Sequence, residues 1–141
     1  MKQFHSFSEQ QTEKIACEIA KLLKKNDIIA FKGGLGAGKT SFVRGLAKGL
    51  ELRDDVSSPT FAIVNEYRGE IPLYHFDMYK INSIEDLYST GFFDYIDTDG
   101  IIAVEWSENI SAALPDKHIT VEIEHSGQDE RNIIISGDER F

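Results

Sequence analysis

The sequence predicts an α/β sandwich. Segments of strand and helix character alternate along the chain. Two short runs, Ile28-Ile29-Ala30-Phe31 and Ile101-Ile102-Ala103-Val104, are apolar at every position, as strands covered on both faces are. A glycine-rich stretch separates the first run from a helical pattern, the punctuation of a strand-to-helix turn built around an anion. The 141 residues suit a single domain over 1–141, because no Gly-, Ser- or Pro-rich linker divides them and no long-period repeat appears.

The elements follow in order. Ser8-Glu9-Gln10-Gln11 reads as a capping box, with Ser8 as N-cap. Ile15, Ile19, Leu22 and Leu23 then recur at helical spacing, with Ala16 and Ala20 beside them, so this helix is expected to end at Asn26-Asp27. After the first buried strand and the glycines, Ser41 to Leu50 carries Phe42, Leu46 and Leu50 on one side of a second helix. Arg53 to Pro59 reads as loop. Thr60 to Tyr67 is a β-type run that Arg68-Gly69-Glu70 turns back into Leu73–Phe76, a hairpin. Ser83 caps a short helix ending near Gly91, and Asp99-Gly100 launches the second buried strand. Val121 and Ile123 alternate with polar neighbours, and Ile133-Ile134-Ile135 returns after Ser126-Gly127 as an antiparallel partner with one wet face.

Composition narrows the function. The net charge is -9, and all of it sits in residues 92–141, which hold 3 basic and 12 acidic residues. That balance argues against a surface that grips nucleic acid or anionic membrane. No apolar run is long enough to span a bilayer. The start, MKQFHSFSEQ, lacks the apolar core of a signal peptide. One cysteine, Cys17, excludes an internal disulfide and is expected to be a buried small hydrophobe. A reducing, cytoplasmic location is the expectation.

The strongest motif is Gly33-Gly34-Leu35-Gly36-Ala37-Gly38-Lys39-Thr40, which matches the phosphate-loop pattern G-x-x-x-x-G-K-[ST]. Glycines let successive backbone N–H groups turn toward an anion, and the following helix adds its positive dipole end. Lys39 supplies a compact positive charge for the β and γ phosphates of a nucleotide, and the Thr40 hydroxyl a ligand for Mg²⁺. The expected cradle is Gly33, Gly34, Leu35, Gly36, Ala37, Gly38, Lys39, Thr40 and Ser41. Such a site needs a carboxylate at a strand end, and two qualify: Glu105 after Ile101–Val104, and Asp77 after Leu73–Phe76. The pattern alone does not rank them. Thr60, within Ser57-Ser58-Pro59-Thr60-Phe61, stands where phosphate-loop switch proteins sense the γ-phosphate, though a capped turn explains the segment equally well. His75 and Trp106 stay open between a packed residue and a functional one.

Four segments in this order, G-G-L-G-A-G-K-T-S-F-V-R-G-L, S-S-P-T-F, L-Y-H-F-D-M-Y-K and A-V-E-W-S-E, resemble the bacterial TsaE (YjeE/YdiB) ATPase family over about Ser8 to Arg131. The resemblance implies parallel core strands flanked by antiparallel strands and hairpins. It implies ATP and Mg²⁺, with Lys39 and Thr40 as phosphate and metal residues and Glu105 as the metal-linked acid. Asp77 matches an acid implicated in hydrolysis, Trp106 the aromatic beside the metal acid, and Ser8 and Arg131 weaker nucleotide contacts. Lys80 departs from an arginine common in the family, which keeps the charge and loses the fork. The family acts in threonylcarbamoyl modification of the adenosine next to the anticodon in tRNA. It works on a complex of TsaD and TsaB and does not perform the transfer itself.

The first reading is therefore a slow, partner-stimulated, Mg-dependent ATPase with no direct grip on tRNA. A nucleotide-regulated binding module with little hydrolysis is the second. A small-molecule kinase is the third, and it lacks a clustered arginine lid: the five arginines are Arg44, Arg53, Arg68, Arg131 and Arg140. No N-K-x-D segment exists to select guanine.

Overall fold

The computed structural model describes residues 1–33, 38–53 and 64–141. Among them seven strands form one sheet: β1 (Lys2–Ser6), β2 (Ile28–Lys32), β3 (Val64–Tyr67), β4 (Leu73–Asp77), β5 (Ile101–Glu105), β6 (Ile119–His125) and β7 (Arg131–Ser136). Their order across the sheet is β1-β7-β6-β2-β5-β4-β3. The inner strands β6, β2, β5 and β4 run parallel, while β7 and β1 on one side and β3 on the other pair antiparallel. Parallel core strands with antiparallel flanks are thus what the chain builds.

Helices cover both faces. On one lie α1 (Glu9–Ala20) and α2 (Lys39–Gly49), packed on Ile29, Phe31, Leu73, Ile101 and Ala103. On the other lie α3 (Ile84–Ser89), α4 (Phe92–Tyr95) and a kinked 3₁₀ segment (Ser107–Ala113), packed on Ile28, Phe76, Ile102 and Val104. Strand alternation explains the split, since successive side chains of β2, β4 and β5 point to opposite layers. The two helices of the first layer approach closely because α2 turns glycine toward α1. A Cβ on Gly45 would stand 2.3 Å from the Glu13 carbonyl oxygen, and one on Gly49 2.5 Å from that of Cys17.

Several local expectations shift. The Ser8 cap forms, with Ser8 Oγ accepting from the Gln11 N–H at 3.1 Å, but α1 stops at Ala20, well short of Asn26. Leu22 and Leu23 donate three residues back, to Ile19 and Ala20, and Arg140 takes the Leu22 carbonyl. Leu23 still reaches the core through this tightened turn. Cys17 is only half-buried. Strand β1 has no strong pattern of its own, and its pairing with β7 from Lys2–Ile135 to Ser6–Arg131 makes it a strand. The chain end is tied down by Arg140, whose guanidinium forks onto Asp27 with both bonds at 2.9 Å and meets Asp138 at 2.8 and 3.0 Å. Those bonds hold the Asp138 carboxyl well below the usual carboxylate range. Among the described residues no helix is long and apolar enough to cross a membrane.

Candidate functional site

The carboxyl ends of β2, β4 and β5 meet the start of α2, the place where open α/β sheets bind ligands. Gly33 leaves β2 with φ +141°, and Gly38 enters α2 with φ +102°, a left-handed angle that glycine adopts without strain. Among the described residues, no side-chain bond caps α2 at its N-cap Gly38. Its leading N–H groups and positive dipole end are therefore available to an anion. Gly34, Leu35, Gly36, Ala37 and Thr60, with the rest of Ser57–Phe61, lie outside the described residues.

Lys39 is buried at this helix start, with its side chain 8% exposed. Its Nζ donates to the Gly33 carbonyl at 3.3 Å and stands 4.0 Å from Glu105 Oε1. It also lies 5.5 Å from the centre of the Trp106 ring, within cation–π range. An ammonium carries three donors, and among the described residues Lys39 spends one of them. A buried cation with unused donors beside an uncapped helix start suits a phosphate.

Glu105 closes β5, and its Oε2 lies 2.7 Å from His75 Nε2. Burial alone would push this carboxyl up. The His75 hydrogen bond, the His75 charge and the Lys39 charge together outweigh burial and hold it below its ordinary value. Glu105 is thus kept ionised, as a metal ligand must be. His75 had no assigned role in the sequence, and the register supplies one. β4 pairs Asp77 with Glu105 and His75 with Ala103, so His75, Asp77 and Glu105 all face the α2 layer. The His-x-Asp spacing ahead of a second strand ending in Glu is the signal that, once β4 and β5 are paired in parallel, points to it.

Asp77 ends β4 beside Glu105, but its side chain is exposed and its Oδ1 accepts the Tyr79 N–H at 3.0 Å. It shares the rim of the site without touching the Lys39–Glu105–His75 cluster. Thr40 is exposed on the first turn of α2, and Ser41 next to it is buried. Trp106 takes φ +58°, a left-handed angle uncommon for a bulky residue, and its ring lies 4.9 Å from that of Tyr79, tilted at 59°. Ser107 Oγ donates to the Phe31 carbonyl at 3.2 Å, and Asn109 Nδ2 to that of Met78 at 2.9 Å. These two bonds fasten the bend after Glu105 to the ends of β2 and β4. Lys80 is exposed.

Ser8 and Arg131 come together with Gly38 and Ser41. They line a cavity of about 130 Å³ with Thr12 and Asp129. The sequence ends that supply them reach α2 because Ser8 opens α1 against it and Arg131 opens β7. Among the described residues no three His, Cys, Asp or Glu side chains cluster as a ready metal site.

The chain resembles known proteins over most of its length. The profile described as "Threonylcarbamoyl adenosine biosynthesis protein TsaE" matches residues 6–133. The chain is 33% identical over 131 residues to the TsaE protein of Treponema pallidum, covering 93% of this chain and 97% of that one. It is 39% identical over 132 residues to TsaE of Bacillus subtilis, covering 92% and 82%. With TsaE of Aquifex aeolicus it shares 41% over 133 residues, covering 91% and 90%. The crystal structure of Bacillus subtilis YdiB superposes with a TM-score of 0.78 at 31% identity, covering 99% of this chain and 88% of that one.

Proposed function

The chain belongs to the TsaE family of threonylcarbamoyl adenosine biosynthesis proteins, and from that membership we propose that it binds and slowly hydrolyses ATP in that pathway. It acts in the cytoplasm on a complex of the TsaD and TsaB type and does not transfer the threonylcarbamoyl group itself. The observation that supports this best is the buried Lys39 at the uncapped start of α2, held 4.0 Å from an ionised Glu105.

In this reading Lys39 and the first-turn N–H groups of α2 hold the β and γ phosphates. Thr40 and Glu105 are the residues that would hold Mg²⁺, which when bound neutralises charge on the phosphate oxygens. His75 keeps Glu105 oriented. Asp77, exposed at the neighbouring strand end, orients the attacking water, or Thr60 does so from the switch segment. Trp106 and Tyr79 wall the phosphate region on its open side. A nucleotide-regulated binding module with little hydrolysis is the second reading, favoured by one observation. Among the described residues Glu105 pairs with His75 and Lys39 and with no arginine that would steady a transferring phosphoryl.

Turnover of ATP, measured with and without a TsaD–TsaB complex, tests the proposal. Turnover that is slow alone and strongly stimulated by the complex supports it, and Lys39→Ala then lowers it roughly a hundredfold. Tight ATP binding with no turnover in either case replaces it with the second reading. If Glu105→Ala keeps full Mg²⁺-dependent turnover, the metal role passes to Asp77.

A further inference from the structure

On the face of the sheet opposite α2, the described residues leave a gap in the cover layer. A groove of about 580 Å³ runs between α3, α4 and the 3₁₀ segment. Ile81, Ile84, Leu87, Phe93, Ile110 and Ala113 form its walls. Ile84 stands at its lip with 52% of its surface exposed, and Tyr88 one turn on is 65% exposed. The polar residues that reach it, Asn82, Ser83, Asn109 and Ser111, are neutral.

The charge around the groove is one-sided. The segments that line it, 81–96 and 107–113, contain four acidic residues and no lysine, arginine or histidine, with Lys80 exposed just before them. Glu85 and Asp86 on α3, Asp94 on α4 and Glu108 on the 3₁₀ segment are all exposed. Apolar walls inside an acidic rim select a particular occupant. Nucleic acid and anionic lipid are repelled by the rim. A second copy of this chain would bring mostly acid against acid, because among the described residues a two-fold contact through this layer offers each side only Lys80 against Glu85, Asp86, Asp94 and Glu108. A small ligand would meet no charged group or converging donors to orient it.

We infer that this groove docks an amphipathic helix of a partner protein, its apolar stripe against Ile84, Phe93 and Ala113 and its flanking lysines or arginines against Glu85, Asp86 and Glu108. This is the helix-in-groove mode of recognition, with anchors at helical spacing and complementary charge at the edges. The inference does not depend on ATP hydrolysis. Its position is suggestive all the same, since the 3₁₀ wall begins one residue after Trp106 and Asn109 bonds to the Met78 and Tyr79 carbonyls just past Asp77.

A synthetic peptide of about 14 residues, long enough to form a helix on binding, tests it against the full chain. It carries leucines at helical spacing flanked by lysines. A scramble of the same composition and a version with glutamate for lysine are the controls. Amide NMR shifts and fluorescence anisotropy are the readouts. The expected result is saturable binding of the striped peptide alone, with shifts centred on residues 84–87 and 110–113. Ile84→Asp, a change at an exposed lip, weakens it about tenfold or more. Ala112→Lys on the opposite lip, which sets a like charge against the peptide's lysines, does the same and guards against a local folding defect in the first variant. Glu85→Lys with Glu108→Lys weakens binding severalfold and flattens its salt dependence. Equal binding of the scramble, shifts centred on β6 and β7, or indifference to both lip variants would overturn the inference. So would groove shifts that appear on raising the protein concentration without peptide, since they would assign the groove to a second copy. ATP binding measured on the same samples reports the Lys39 site separately, so the two readings fail independently.

Discussion

Replacing His75 with alanine tests whether the cluster is held as described. In the native protein His75 Nε2 and Glu105 Oε2 are 2.7 Å apart, with side chains only 10% and 16% exposed. A short charge-assisted bond of this kind, shielded from water, contributes about 1.5–3 kcal/mol. Its removal leaves Glu105 with Lys39 as its nearest countercharge at 4.0 Å. Burial is the largest influence on Glu105 and acts to raise it, whereas Lys39 is the weakest of the lowering ones. Without His75 burial therefore wins, and the carboxyl moves above its ordinary value. The sign of the linkage reverses with it. In the native protein the depressed Glu105 stabilises the fold above the ordinary carboxylate range, and that contribution fades as pH falls through its lowered value. In the variant an unpaired buried carboxylate costs stability at neutral pH and is relieved by acid.

Urea denaturation at neutral pH should show a loss of about 2–3 kcal/mol for His75→Ala. Carboxyl NMR should show Glu105 titrating below its ordinary value in the native protein and above it in the variant. A double-mutant cycle with Glu105→Gln isolates the pair. The double variant is expected to lose about 1–2 kcal/mol less than the sum of the single losses. Additive losses and an unmoved Glu105 titration would refute the argument that His75 holds this carboxylate.

Three further outcomes follow from local geometry. Gly45→Ala gains about 1 kcal/mol of helix propensity but drives a methyl to 2.3 Å from a backbone oxygen of α1, so thermal or urea unfolding should show a net loss of about 2 kcal/mol. Tyr95 donates to Glu66 Oε1, and that bond, then burial, then the Glu66 charge push its hydroxyl up to about 12. The folded state thus holds this proton more tightly, and the pair's contribution is full below about pH 10 and lost as pH rises through about 12. Tyrosinate absorbance should show one late-titrating tyrosine, absent in Tyr95→Phe. Arg140→Lys keeps the charge but loses the fork onto Asp27, and should cost about 1–2 kcal/mol by urea denaturation.

Much of the architecture is legible in the chain because its signals are local. The two apolar runs became the central parallel strands β2 and β5, and the Ser8 and Ser83 caps form as their spacing implies. What the sequence hides is set by partners distant in the chain. Strand β1 borrows its state from β7, and the turn that ends α1 is held by Arg140, 118 residues beyond the Leu22 carbonyl it binds. The candidate site divides the same way. Lys39 and Glu105 are marked by motif and by strand end, so their closeness could be anticipated. His75 could not, because its meaning is a register: shifted by one residue, β4 would turn that ring to the opposite layer.

For the ATP-binding role proposed above, the acid-rich composition raises an electrostatic question, since a strongly negative protein is an awkward host for a nucleotide. The sheet answers it by sorting charge between its faces. Glu105 faces the α2 layer, where His75 and Lys39 offset it, while Glu85, Asp86, Asp94 and Glu108 stand exposed in the layer behind the sheet. Exposed charges farther away than a Debye length, about 8 Å at physiological salt, are largely screened, and a packed sheet between two helical layers supplies a separation of that order. The acids on the far face therefore add little repulsion at Lys39 under physiological conditions, and more when salt is removed. Nucleotide affinity should accordingly fall as ionic strength is lowered toward 0.01 M, where the screening length grows to about 30 Å. Charge reversal at Glu85 and Glu108 should blunt that fall without touching a residue of the site.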